Sequence, residues 1–65
     1  MKTNFSELTH AVLTAYGLSE KQLAEQLGVS QPTVHRMKSG EIKNPAFHTG
    51  ARLVELYDNM PRPAA

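Results

Sequence analysis

The chain lacks cysteine and tryptophan, and aromatic side chains make up only 6% of it. The absence of cysteine excludes disulfide bonds and cysteine-ligated zinc sites. No apolar run approaches the roughly 20 residues that a membrane-spanning helix needs, and the opening residues, M-K-T-N-F-S-E, lack the uninterrupted apolar core of a signal peptide. We therefore expect a cytoplasmic protein that does not associate with a membrane.

Room for a catalytic centre is also scarce, because 65 residues make one small domain. A domain of this size buries only about 60% of its unfolded surface, so we expect modest stability and no deep cleft. The three histidines, His10, His35 and His48, include no pair at the i, i+4 spacing that binds zinc on a helix. We expect neither an enzyme nor a bound metal or cofactor.

A strong excess of charge of one sign is likewise missing, since the net charge is only +1. The charges are nevertheless unevenly placed. Residues 1–30 carry two lysines and three glutamates and are net −1, whereas residues 31–43 carry three cations and Glu41 and are net +2. The positive excess therefore lies in the middle of the chain, and an excess of this kind favours contact with nucleic acid.

The stretch from Ser19 to Gly40 organises the rest of the chain. Ser19 and Gln22 are spaced as a capping box, which predicts the start of a helix. Gly28 predicts the end of that helix, because glycine readily takes the left-handed conformation of a C-cap. A second helix is expected to follow at once, with Ser30 as its N-cap. Such a short connection forces a sharp crossing, which is typical of a helix-turn-helix.

The second helix of this pair is expected to have one buried face and one outward face. At about 100° per residue, Val34 and Met37 point the same way and form a narrow apolar stripe. The opposite side combines a guanidinium, an amide, an imidazole and hydroxyl groups, which suit the hydrogen-bonding edges of bases in the major groove of DNA. The residues predicted to contact bases are Gln31, Pro32, Thr33, His35 and Arg36.

This stretch resembles the helix-turn-helix of the Cro and phage-repressor family, also called the xenobiotic-response-element type. The resemblance covers roughly residues 18–47. It implies an all-α, lambda-repressor-like domain of four to five short helices, with the helix-turn-helix at about residues 19–39. The residues that carry it are Gln22, Leu23, Ala24, Gly28, Ser30, Gln31, Val34, Ser39 and Gly40, and more weakly Lys43, Pro45 and Phe47.

The resemblance also implies which side chains meet base edges. In the family these are the positions that match Gln31, Pro32 and Arg36, and Gln31 agrees best with the residue usually found there. Pro32 cannot offer the side-chain hydrogen bonds of a glutamine or serine. Its expected contribution is apolar contact with a thymine methyl group.

Contacts with phosphates are implied for the positions that match Glu20, Ser39 and Lys43. Glu20 departs from the family pattern, because a carboxylate repels a phosphate, and Lys21 is the alternative donor. The loop after Gly40 offers further cationic and amide groups. The residues predicted to contact phosphates are Ser19, Lys21, Ser30, Lys38, Ser39, Lys43 and Asn44.

Helices are also expected on both sides of the helix-turn-helix. The first runs from Phe5 or Ser6 to Tyr16 after a loose end at 1–4, and Gly17 ends it. The last runs from about residue 46 to residue 59. We expect one domain over residues 1–60 and a flexible tail over residues 61–65.

The last helix carries two adjoining apolar stripes, one of which begins at Phe47 and the other at Leu53. One stripe is expected to seal the core. The other exceeds what so small a domain needs to hide, which predicts a two-fold contact between two copies of the chain. The residues predicted for this dimer contact are Leu53, Leu56, Tyr57 and Met60.

These observations lead to two hypotheses of different classes. The first is a sequence-specific transcriptional regulator, a Cro-like repressor that binds a palindromic operator in double-stranded DNA as a homodimer and takes no small-molecule effector. The second is a protein-interaction module on the same fold, such as an antitoxin or an assembly or adaptor factor. The modest net charge favours the second hypothesis, whereas the chemistry and spacing of residues 19–40 favour the first.

Overall fold

A computed structural model describes residues 4–61, which form four α-helices and no β-strand. The helices are α1 (Phe5–Tyr16), α2 (Glu20–Leu27), α3 (Gln31–Ser39) and α4 (Phe47–Asp58). This architecture confirms the all-α fold. None of these four helices is long and apolar enough to span a bilayer. Apart from Pro61, the tail predicted at 61–65 lies outside the described residues.

α1 begins at a cap that the sequence analysis missed. The Asn4 side chain accepts a hydrogen bond from the backbone N–H of Glu7 at 3.1 Å. The expected loose end is therefore wrong for Asn4, since its side chain satisfies one of the unpaired amides of the first turn. The other three residues of that segment lie outside the described part of the chain. α1 ends at Gly17, as its sequence predicts.

α2 has the local structure that its sequence predicts. The Ser19 hydroxyl accepts from the Gln22 N–H at 3.1 Å, and the Gln22 side chain accepts from the Ser19 N–H at 2.9 Å, which completes the capping box. Gly28 ends the helix at φ +72°, a conformation that costs a residue with a Cβ atom about 1 kcal/mol or more. Only residues 28–30 lie between α2 and α3.

The core is formed by apolar side chains from all four helices. α3 packs against both α1 and α2, and α4 packs mainly against α1. Burial of one such side chain stabilises the fold by about 1.5–3 kcal/mol. The buried apolar residues are Val12, Leu23, Ala24, Leu27, Val34, Met37 and Leu53.

Two long-range hydrogen bonds fix α1 against its neighbours. The Ser6 hydroxyl donates to the backbone carbonyl of Lys38 at 2.6 Å, and this ties α1 to the last turn of α3. The Tyr16 hydroxyl donates to the carbonyl of Leu56 at 2.8 Å, and this ties α1 to α4. Each bond pairs a backbone carbonyl of one helix with a side chain of another. The position of α3 against α1 therefore depends on a tertiary contact, the bond from Ser6.

α4 turns a different face to the core than the stripe pattern suggests. Its fully buried positions are Thr49, Gly50 and Leu53. A Cβ atom at Gly50 would lie only 3.3 Å from the ring of Phe5, so the glycine inside this helix permits close approach of α1. Phe47 is 90% exposed. Its assignment to a core stripe is therefore wrong.

The dimer contact predicted on α4 also needs correction. Leu53 is fully buried within its own domain and has no surface for a second copy to contact. The remaining predicted contact residues, Leu56, Tyr57 and Met60, are each partly buried. Both errors have one cause, since helical periodicity defines the stripes and the neighbouring helices decide which stripe turns inward.

Candidate nucleic-acid interface

α3 has the two faces that its sequence predicts. Val34 and Met37 are fully buried and hold the helix on the core. On the other side, the residues predicted to contact bases are largely accessible. Gln31, Pro32, His35 and Arg36 are exposed, and Thr33 is half-buried. The structure thus brings four of the five candidate base contacts together on one accessible surface, which we call the α3 face.

The start of α3 departs from the predicted cap. Ser30 has the extended backbone of an N-cap residue, but its side chain does not cap the helix. The Ser30 hydroxyl lies 2.9 Å from the Thr33 hydroxyl and exchanges a hydrogen bond with it. The predicted capping role of the Ser30 side chain is therefore wrong, because the neighbouring hydroxyl offers it a partner that competes with the backbone.

Arg36 projects from the α3 face into solvent and meets a carboxylate there. Its Nε lies 3.2 Å from Oε2 of Glu41, and the two side chains are 57% and 67% exposed. Gly40 ends α3 and turns the chain so that Glu41 follows one turn beyond Arg36. The sequence analysis did not anticipate this ion pair. Arg36 is accessible from outside, as a residue that contacts bases must be.

Lys38 and His35 meet a second carboxylate, which belongs to α2. Oε2 of Glu20 lies 2.8 Å from Nζ of Lys38 and 3.3 Å from Nδ1 of His35. The hydrogen bond from Lys38 is the main cause that lowers the pKa of Glu20 below its ordinary value, and the bond to His35 adds to it. Lys38, a predicted phosphate contact, is thus already engaged by the protein.

The other predicted phosphate contacts fall into two groups. The three serines use their hydroxyls locally. Ser19 forms the capping box, Ser30 pairs with the Thr33 hydroxyl, and Ser39 bonds to the Arg36 carbonyl at 3.1 Å. Lys21, Lys43 and Asn44 are exposed, and neither lysine has an ion-pair partner among residues 4–61. Lys21 and Lys43 are therefore the cations most available to phosphates.

No cluster of three or more histidine or acidic side chains in the described part of the chain has the arrangement of a metal site. The chemistry that the site offers is hydrogen bonding and charge. Its donors lie on α3, in the loop that follows it and at the start of α2. A short, outward helix after a tight turn, braced by a second helix, is the geometry of a helix-turn-helix DNA-binding domain.

Comparison with known families agrees with this geometry. A helix-turn-helix family model matches residues 10–61, which is 52 of the 65 residues. The chain therefore belongs to the Cro/C1-type helix-turn-helix family, a family of DNA-binding regulatory domains rather than of enzymes. No solved structure significantly matches the chain.

Proposed function

We propose that this protein is a Cro-like repressor, which binds a palindromic operator in double-stranded DNA with α3 in the major groove. The observation that carries the proposal is the division of α3 into a fully buried stripe, Val34 and Met37, and an exposed face that carries Arg36. The buried stripe holds the helix rigidly. The exposed face then presents its donors to base edges at a defined position.

Arg36 is the principal base-reading residue in this proposal. A guanidinium forms two parallel hydrogen bonds with the O6 and N7 atoms of guanine, an arrangement that other bases do not offer. Gln31, at the first turn of α3, pairs in a similar way with adenine. Pro32 and His35 lie beside them and are exposed as well. Thr33 contributes less, because its hydroxyl is engaged with Ser30.

Phosphate contacts position the domain on the duplex and supply most of its sequence-independent affinity. Lys21 and Lys43 lie at the two ends of the helix-turn-helix, and both are exposed and outside any described ion pair. Asn44 is exposed beside Lys43. With few free cations, the domain is expected to depend only moderately on salt concentration.

A homodimer would place two copies of α3 about one helical turn of DNA apart. Since Leu53 is buried, we place the contact on the exposed edge of α4, at Phe47 and Ala51 with the half-buried Val54. These residues share one stripe at i, i+4 and i+7. Arg52 and Glu55 form an ion pair within the same helix, and two antiparallel copies of α4 would also bring each charge beside its opposite in the partner copy.

The test is to select binders from a pool of random duplexes and then to compare Arg36→Ala with Lys43→Ala. Arg36→Ala is expected to lose roughly 1–3 kcal/mol on the selected duplex and to relax discrimination at one base position. Lys43→Ala is expected to weaken selected and random duplexes about equally, because a phosphate contact reads no sequence. Binding isotherms at one fixed salt concentration measure both effects.

Two results would contradict the proposal. If Arg36→Ala weakens selected and random duplexes equally, Arg36 does not read bases. If no sequence is enriched, or if the enriched consensus lacks two-fold symmetry, the domain does not act as a dimeric operator-binding protein. If no sequence is enriched, a protein-interaction module becomes the better description.

A further inference from the structure

The two cations of α3, Arg36 on the α3 face and Lys38 beside it, are already bound to carboxylates of the same chain. Arg36 is paired with Glu41, and Lys38 is paired with Glu20. Lys21 and Lys43, which flank this face, have no such partner among residues 4–61. Both ion pairs therefore lie on the side of the domain that the proposed function assigns to DNA contact.

The contacts of Glu20 are the more extensive of the two. Glu20 is the first residue of α2, where the unpaired backbone amides of the first turn favour an anion. Its carboxylate reaches across to α3 and lies within hydrogen-bonding distance of Lys38 and His35. Only 20% of the Glu20 side chain is exposed, against 65% for His35. A carboxylate is thus held between the start of α2 and two basic side chains.

A phosphate oxygen in the position of the Glu20 carboxylate would meet the same hydrogen-bond donors. Lys38 and His35 offer N–H donors, and a phosphate would compete for them because it also accepts charge-assisted hydrogen bonds. Both donors belong to α3, and His35 lies on its exposed face. A duplex that reaches this face must therefore meet donors that Glu20 already occupies.

We propose that Glu20 is an intramolecular competitor of the DNA phosphate, which holds Lys38 and His35 in the free protein and lowers the affinity of the domain for DNA. The proposal rests on the proposed function, since it requires α3 to meet the duplex. The Lys38 ammonium has three N–H donors, but a phosphate that approaches it is repelled by the Glu20 carboxylate until Lys38 and Glu20 separate. The free energy needed to separate Lys38 from Glu20 then reduces the favourable free energy of DNA binding.

The expected size of the effect follows from the exposure of the groups. Partly exposed ion pairs are weak, and their loss changes an equilibrium by at most about fivefold. Removal of the Glu20 charge is therefore expected to tighten DNA binding about two- to fivefold. Removal of any negative charge from the domain is also expected to tighten DNA binding. The experiment must therefore separate the local competition from this general effect.

A double-mutant cycle makes this separation. We compare wild type, Glu20→Gln, Lys38→Met and the double variant for binding to one mixed-sequence duplex at fixed salt concentration. Competition predicts that Glu20→Gln tightens binding about two- to fivefold when Lys38 is present, and clearly less when it is Met. Simple repulsion between Glu20 and DNA predicts the same gain in both backgrounds, and that result would overturn the proposal.

Glu25→Gln is the matched control. Glu25 lies on the same helix, is exposed, and has no ion-pair partner among residues 4–61. The same charge is therefore removed without freeing a cation. An equal gain for Glu25→Gln and Glu20→Gln overturns the proposal, whereas a larger gain for Glu20→Gln supports it.

The unmodified chain provides a second readout that does not depend on the folding of any variant. On addition of the duplex, the side-chain carboxyl resonance of Glu20 is expected to shift as Lys38 leaves it, and an unchanged resonance overturns the exchange.

Failure of the proposed function can be distinguished from failure of the competition. If Arg36→Ala retains full affinity for selected DNA, the reading role of α3 is lost. If Arg36→Ala weakens binding but the cycle shows no coupling, only the competition is wrong.

Discussion

α2 and α3 both follow a serine at the N-cap position and both end at a glycine, but only the serine before α2 caps its helix. Ser19 and Gln22 satisfy each other's backbone amides. The Ser30 side chain pairs with Thr33 instead. α2 is therefore stabilised by bonds between residues three apart. α3 depends on its buried stripe and on the bond from Ser6 to its last turn.

This difference suits the roles of the two helices. In the proposed function the outward face of α3 meets DNA, so burial of that face in the core cannot stabilise the helix. α3 consequently relies on two fully buried side chains and on a neighbouring helix, while α2 supports it from a locally stable position. Truncation of Met37 and of the two cap serines tests whether α3 is held by packing and α2 by local bonds, and acidification tests the ion pair that joins the two helices.

The largest effect is expected for Met37→Ala. Met37 is fully buried, and truncation of such a side chain leaves a cavity that costs about 2–5 kcal/mol. Since a domain of this size has modest stability, much of the protein should unfold at ordinary temperature. Denaturant titration followed by circular dichroism measures the loss, and Gln26→Ala, on the exposed side of α2, should change stability by no more than about 0.5 kcal/mol. A loss this small for Met37→Ala would mean that packing does not hold α3.

A smaller and unequal effect is expected for the two cap serines. Ser19→Ala should cost about 1 kcal/mol, because it removes one half of a complete capping box. Ser30→Ala should change stability by no more than about 0.5 kcal/mol, because its hydroxyl makes no bond to the backbone of α3. Thermal melts of the two variants under identical conditions give the comparison. Equal losses would show that Ser30 caps α3 in solution.

The smallest effect concerns pH. The hydrogen bond from Lys38, together with that to His35, lowers the pKa of Glu20 from its ordinary value of 4.5. A carboxyl group with a lowered folded-state pKa stabilises the fold above its unfolded-state pKa, and this contribution is lost as the pH falls through the folded-state value. The stability difference between wild type and Glu20→Gln should therefore shrink on acidification below about pH 4.5. Melts across this range measure it, and a difference that grows instead would contradict the assignment.

Much of the fold could be predicted from local sequence. The ends of α1 and α2 coincide with Gly17 and Gly28, and the start of α2 coincides with the Ser19 capping box. These signals act through hydrogen bonds between residues a few positions apart, so they do not depend on the rest of the molecule. The rotation of α4 could not be predicted in this way. It depends on how α4 packs on α1, where Gly50 lies against the ring of Phe5 and Phe47 lies in solvent.

The candidate site likewise has some features that local sequence predicts and others that only tertiary contacts set. The exposure of Arg36 and Gln31 follows from helical periodicity once Val34 and Met37 are taken as the buried stripe. The carboxylate partner of Lys38, a cation of the same helix, does not follow from periodicity. Glu20 and Lys38 are 18 positions apart in the chain, and only the crossing of α2 and α3 brings them within 2.8 Å of each other. Sequence analysis identified Glu20 as unusual but not what it binds.

The amino-acid sequence by itself determined that the chain forms short helices, where the first three of them end, and which side of α3 carries its polar side chains. Each of these properties arises from caps and periodicity, which act within one or two helical turns. Only the tertiary structure decided which stripe of α4 is buried and that Glu20 of α2 holds Lys38 of α3. These depend on the distances between helices, and such distances are set when all the side chains of the core pack together.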